Sequence, residues 1–366
     1  MMRNVLSSEL ATGQMVIVVA RWLLVLVGLV VTVWNPDPLP QLRLQIAVIL
    51  TVAVANFMMH AQLLRKRPTL EVVACGASIG DLAVITMLIA SQGGFGSNVF
   101  VFYFPAILAI AVSFPTVTAL LLSALGIGLA LGVSLYGADD LLPVVLRVLA
   151  LAAMAAIGNA YWRLHRERIQ ASGSQTREAA SDLFFGQIAA IWARWAMVVG
   201  GAVLVLSQAS DTGQVAVGIL PVVVLLATNF YLHGRYLIER PANARLTLLA
   251  SGVDVAMLVA LFFAWNGAAG TANPCYLLLY PVVFSIGLIF PPRISWVFTA
   301  GCLAVYAVLA PPILAGDLKV VIVRLLTLAA VCGLASLYWR SVRRRHGTEI
   351  EHEAVSSLAW QSAHAS

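Results

Sequence analysis

Two aspartates stand where an aspartate is costly. Asp81 and Asp254 each fall near the middle of a long apolar run. A carboxylate at bilayer depth is destabilising unless it is paired, and such a residue marks a functional site by default. Arg21 and Arg194 lie in apolar runs of their own and are the expected partners. With both helices running outward, Arg21 sits about 7 residues into its span and Asp81 about 11, an axial offset of roughly 6 Å. An arginine side chain bridges that distance. Arg147 and Arg324, near the outer ends of other runs, compete for the same role. The plain reading of each carboxylate is a structural ion pair that fixes helix packing. The sharper reading is a proton or ligand site.

A second chemical feature follows each aspartate by about a dozen residues. The first stretch reads Gly93-Gly94-Phe95-Gly96-Ser97-Asn98-Val99-Phe100, and the second runs from Gly267 through Gly270 to Asn273-Pro274-Cys275. Glycine permits a tight reversal, and Asn273 with Pro274 suits a helix start, as does Asn98. Each turn adjoins aromatic residues: Phe100, Phe102, Tyr103 and Phe104, or Tyr276 and Tyr280. Backbone N–H groups at such a start could hydrogen-bond a quinone-type carbonyl, while the plain reading is a well-made turn with interfacial aromatics. The candidate ligand-binding residues are therefore Gly94, Asn98, Phe100, Gly270, Asn273 and Pro274.

These residues recur because the chain reads as one unit written twice. Ala20-Arg21-Trp22 returns as Ala193-Arg194-Trp195, Asn56-Phe57 and His60 return as Asn229-Phe230 and His233, and Asp81 returns as Asp254 (254 − 81 = 173). Pro105 answers Pro281 at an offset of 176 (281 − 105), and Arg147 answers Arg324 at 177 (324 − 147). Tyr161-Trp162-Arg163 answers Tyr338-Trp339-Arg340 at the same 177 (338 − 161). The drift implies small loop insertions with order kept throughout.

Composition places both copies in a membrane. Mean hydropathy is +0.93 and only 10% of the 366 residues are charged, against about 25% in soluble domains. The net charge of +6 reflects arginines at the ends of apolar runs and does not suggest nucleic-acid binding. Apolar runs of about 20 residues predict six spans per copy: roughly 14–34, 42–64, 70–91, 98–114, 116–136 and 142–163, then 189–208, 215–236, 245–265, 274–290, 294–313 and 319–340. The expected fold is all-α, with about 12 transmembrane helices in two parallel six-helix repeats. The domains are 1–163, a cytoplasmic linker at 164–188, 189–340 and a basic tail at 341–366. Arg65-Lys66-Arg67, Arg163, Arg166, Arg235, Arg340 and Arg343-Arg344-Arg345 fall on one side, and Asp37, Asp139-Asp140, Asp211 and Asp317 on the other. The positive-inside rule then puts both termini in the cytoplasm.

Several chemistries are not expected. Cys75, Cys275, Cys302 and Cys332 lie inside apolar runs without metal-ligand spacing, so no metal site is expected. His60 and His233 could in principle ligate a haem, but a histidine there more often faces the interface. Phosphate-binding glycine loops, zinc-protease motifs and nucleophilic triads are not found, so no enzyme is expected.

The intramembrane Asp, the Gly-Gly-x-x-Asn-Pro-Phe-like turn and the Pro-interrupted fourth span together resemble the membrane input domain of RegB/PrrB-type redox-sensing histidine kinases. The resemblance covers both copies, roughly residues 14–163 and 189–340. The first copy keeps Gly94, Asn98 and Phe100 but has Phe95 and Val99 at two motif positions; the second keeps Gly270, Asn273 and Pro274 but has Ala269 and Cys275. The resemblance implies a bacterial inner-membrane sensor that responds to quinone or another lipophilic ligand. No cofactor is read from the residues themselves. A phospho-accepting helix and an ATP-binding domain are not expected within residues 346–366, so the signal would pass to a separate kinase or membrane-complex partner. The rival expectations are a secondary transporter with parallel repeats and an accessory subunit of a larger membrane complex.

Overall fold

The computed structural model describes residues 2–34, 39–65, 71–91, 98–136, 141–171, 178–208, 212–237, 242–264, 274–309 and 318–340. Among them there is no strand. The helices in order are α1 (Met2–Trp34), α2 (Leu39–Leu64), α3 (Glu71–Ser91), α4 (Tyr103–Ser113), α5 (Thr116–Tyr136), α6 (Leu141–Ala171), α7 (Glu178–Gln208), α8 (Thr212–Leu237), α9 (Ala244–Ala264), α10 (Leu279–Ile289), α11 (Pro292–Leu309) and α12 (Leu318–Arg340). Eight of these, α2, α3, α5 to α9 and α12, are long and apolar enough to cross a bilayer, and shorter apolar stretches lie in α1, α4, α10 and α11. The chain is an α-helical multi-pass membrane protein. In hydrocarbon every backbone polar group must be satisfied within the segment, which is why apolar sequence of this length folds as helix.

Burial sorts the helices. Leu44, Leu50, Val54, Phe57 and Met58 of α2 and Val217, Leu220, Val223 and Phe230 of α8 are exposed. In water such faces would invite association; in a bilayer they meet lipid. By contrast, all eleven residues of α10 are buried, as are most of those of α4. α4 packs on α1, α5 and α6, while α10 packs on α6, α7, α9 and α11. α6 also packs along α7, which joins the two halves of the chain side by side.

Local sequence explains how α4 and α10 begin and end. A 3-10 turn precedes each, at Asn98–Phe102 and Pro274–Leu278. Pro105 and Pro281 then fall in the first turn of the α-helix, where a missing N–H is tolerated. At the other end Phe114 (φ −107, ψ 155) and Phe290 (φ −106, ψ 155) are extended, because the residue before a proline is pushed out of the helical region. Pro292 opens α11 at a position suited to proline. Ser295 Oγ covers the break by donating toward the carbonyls of Ile286 at 3.1 Å and Phe290 at 3.1 Å.

Two local features go beyond the sequence reading. Asn98, expected to cap the fourth span, is the first residue of the 3-10 turn, and the N-cap position of α4 is Phe102, with no side-chain cap. The 3-10 turn already leads the backbone into the helix, so no side chain is needed there. Pro274 likewise opens a 3-10 turn, and α10 itself has Leu278 at its N-cap. The segment expected as a linker, 164–188, is helical over 164–171 and again over 178–188, because α6 and α7 run on past their apolar stretches. Its Ser172-Gly173-Ser174, together with Gly94, Gly270, Asn273 and the 341–366 tail, lies outside the described residues.

Candidate functional site

The first aspartate is met from α1. Arg21 Nε donates to Asp81 Oδ2 at 2.6 Å, with the two side chains 4% and 13% exposed. Arg21 Nη1 points to Met59 Sδ at 2.8 Å, so α2 also touches the guanidinium. Beside it Asn56, fully buried, donates from Nδ2 to the Val18 carbonyl at 3.0 Å. Trp22 Nε1 donates to His60 Nδ1 at 3.4 Å, which accounts for that histidine as a packing partner. Charge-assisted contacts of this kind are roughly twice as strong as neutral hydrogen bonds.

The second aspartate is met from α7 in the same way. Arg194 Nε donates to Asp254 Oδ1 at 2.9 Å and lies 2.8 Å from Oδ2, and the side chains are 1% and 4% exposed. The surroundings differ. Position 232, which lies 173 residues beyond Met59, is Leu232. Among the described residues Arg194 Nη1 and Nη2 are buried without a hydrogen-bond partner, and so are both amide atoms of Asn229. Met59→Leu is expected to cost about 1 kcal/mol through loss of the contact to Arg21. The measurement is the melting temperature in detergent, where Leu232→Met should cause no comparable loss.

Arg147 and Arg324, the competing partners, lie elsewhere. The Arg147 guanidinium carbon is 5.0 Å from the centre of the Phe100 ring. That of Arg324 is 3.7 Å from the centre of Tyr276, and its Nη1 donates to Tyr306 Oη at 3.0 Å. Both contacts are cation–π geometries. Phe100, Phe102, Tyr103, Phe104, Tyr276 and Tyr280 are all buried, so the aromatics expected at the membrane interface are instead packing residues of the protein interior. The 3-10 turn before α4 packs against α1 and α3, and the one before α10 against α6, α7 and α9. The Phe104 ring stacks on Tyr280 at 3.9 Å with planes 6° apart. Tyr280 Oη pairs with Thr327 Oγ1 at 2.7 Å, and Tyr103 Oη with Thr86 Oγ1 at 2.7 Å.

Of the six residues read as a ligand-binding turn, Phe100 and Pro274 are described with their side chains, and Phe100 is engaged by Arg147. A pocket lies instead beside the first ion pair. It is walled by Arg21, Asp81 and Ser78 with Pro105, Ala106 and Ala109, and its volume of about 20 Å³ is room for one water-sized group. Sequence reasoning named the ion-pair residues but not the α4 wall; alanines at 106 and 109 on the face of Pro105 were the available signal. The four cysteines are free, and no cluster of metal-ligating side chains occurs among the described residues.

Comparison with known proteins adds no neighbour: no protein-family model, curated protein or solved structure matches the chain.

Proposed function

We propose that the chain is a membrane sensor module made of two parallel six-helix repeats, which responds to a lipophilic ligand and signals through a partner protein. The observation that carries the reading is the recurrence of contacts at matching positions. Arg21–Asp81 on α1 and α3 answers Arg194–Asp254 on α7 and α9. Arg147 over Phe100 answers Arg324 over Tyr276. A Cβ built on Gly158 would lie 2.6 Å from Ala111 Cβ, and one on Gly287 would lie 2.5 Å from Ala335 Cβ. These are the same two positions with the glycine exchanged (287 − 111 = 176; 335 − 158 = 177). The short helices fit as spans too. Eleven α-helical and five 3-10 residues reach roughly 26 Å, close to a hydrocarbon core of about 30 Å.

The same contacts favour a sensor over a transporter. A parallel-repeat transporter holds substrate near the midplane between its halves. On the parallel-repeat reading Phe104 and Tyr280, themselves matching positions (280 − 104 = 176), occupy that place; they are fully buried and their rings stack. A pseudo-twofold axis along the membrane normal passes between them on this reading. Quinone, or another lipid-soluble molecule with a polar head, is the ligand class, and the membrane of a bacterial cell is the setting.

The test is extraction of the protein, purified in mild detergent, followed by mass spectrometry of bound lipophilic molecules. A molecule retained in fixed stoichiometry supports the reading, whereas uptake of a water-soluble solute into proteoliposomes would replace it with transport. Topology gives a separate check. A reporter fused after Arg345, and one within 172–177, are expected to be active only in cytoplasmic format. Periplasmic activity at either place would overturn this topology, and activity on opposite sides at the two places would overturn the parallel arrangement.

A further inference from the structure

The two ion pairs are not equally accessible. Asp81 meets Arg21 through Oδ2, and Arg21 uses Nε for Asp81 and Nη1 for Met59. Both residues line the pocket walled by Pro105, Ala106 and Ala109 of α4. In the second half both oxygens of Asp254 lie within 2.9 Å of Arg194 Nε, with the hydrogen bond to Oδ1. The matching wall is larger: Val282 replaces Ala106 and Ser285 replaces Ala109 (282 − 106 = 285 − 109 = 176), and both are buried. Ala190 stands where the first half has Ile17 (190 − 17 = 173), which loosens the opposite wall, yet Asp254 is still the more enclosed carboxylate.

We propose that the Arg21–Asp81 pocket is a binding site for the hydroxyl head of a neutral lipid-soluble molecule, and that the corresponding place at Arg194–Asp254 is closed. Arg21 and Asp81 cancel each other's charge, so a charged ligand would bring an uncompensated charge into low dielectric. In the proposed site Arg21 Nη2 serves as the donor and Asp81 Oδ1 as the acceptor. A hydroxyl satisfies both, accepting from the first and donating to the second. The pocket holds only the head, and the apolar remainder lies along the helices in the bilayer. This site rests on the sensor reading and names the ligand chemistry and the half that takes it.

The experiment uses dicyclohexylcarbodiimide, a neutral lipid-soluble reagent, on the full chain in detergent, with labelled peptides quantified by mass spectrometry. The carboxylate oxygen adds to the central carbon of the reagent, a proton taken from water goes to its nitrogen, and an acyl shift leaves a stable adduct with no leaving group. Asp81 is expected to react about tenfold faster than Asp254, the ratio set by one modest barrier difference. Saturating 1-decanol should slow labelling of Asp81, while n-decane should not. Ala106→Val with Ala109→Ser, which imports side chains already accommodated at the matching positions, should bring Asp81 down to the rate of Asp254. Val282→Ala with Ser285→Ala should raise Asp254.

Equal rates at the two aspartates in the unmodified protein, or no labelling at Asp81, would overturn the proposal whether or not the variants fold. Protection by n-decane equal to that by 1-decanol would show an apolar crevice only and would also overturn it. Labelling is read without any signalling partner, so failure here leaves the sensor reading standing. Conversely, solute uptake into proteoliposomes would remove the sensor reading while leaving the site intact.

Discussion

Asp81→Asn and Arg21→Gln are each expected to destabilise the protein by about 3–5 kcal/mol, because each leaves its former partner as an unpaired charge in low dielectric. The double variant should lose far less than the sum, since no lone charge then remains. The measurement is a double-mutant cycle on thermal stability in detergent, and additive losses would reject the coupling. The second pair sharpens the expectation. Asp254 is 4% exposed against 13% for Asp81, and its arginine already carries two buried nitrogens without partners. Asp254→Asn should therefore be the more damaging of the two aspartate substitutions. The reverse order would mean that the Asp81 pocket is not the more accessible environment.

The second large effect comes from two glycines. At Gly158 the added Cβ would meet Ala111 Cβ and, at 3.4 Å, its backbone carbonyl carbon. At Gly287 it would meet Ala335 Cβ. Neither neighbour has a side chain that can swing away, so the helices must move apart. Small residues are what allow membrane helices to approach this closely. Gly158→Ala and Gly287→Ala are each expected to cost about 1–3 kcal/mol. Gly200→Ala should cost less, because its Cβ would meet the ends of Leu278 and Leu149, which can rotate. Gly76→Ala, with nothing within 4 Å, should cost nothing. Loss of stability at Gly76 equal to that at Gly158 would show that helix flexibility, not close approach, is what these glycines supply.

The membrane class was legible because hydropathy is a sum over many residues and survives any error in one of them. The helix positions followed from the same sums, with two systematic misses. The span expected from hydropathy ends at 163, but α6 continues to Ala171, since a helix once formed extends through polar residues of good propensity such as Arg166, Glu167 and Arg168. Asn98 looked like a cap because cap preference is a local rule, whereas the 3-10 turn that begins there packs on α1 and α3, which a local rule does not see.

At the site, Asp81 and Arg21 could be matched by depth, because the rise per residue is fixed. Lateral placement is not encoded that way. Nothing in a one-dimensional pattern says that Met59 lies over the guanidinium, or that Arg147 turns to Phe100. The aromatic residues near the turns were misplaced for the same reason. Phe and Tyr suit an interface and an interior equally well, and only the packing of α4 and α10 decides between them.

The ring stack between Phe104 and Tyr280 has a bearing on why two such units would share one chain. In a dimer of identical subunits, a side chain on the twofold axis always faces its own copy. A Phe-to-Tyr change there would introduce two phenols at once, each needing a partner in a dry interface. Covalent linkage lifts that restriction on the tandem reading. One ring has remained hydrocarbon while the other carries a hydroxyl, served by Thr327. The seam is thereby handed, with a mute side and a speaking side. On the proposed sensor reading, a disturbance arising in one half would reach the other through neighbours that differ, a direction that two identical halves related by symmetry would lack.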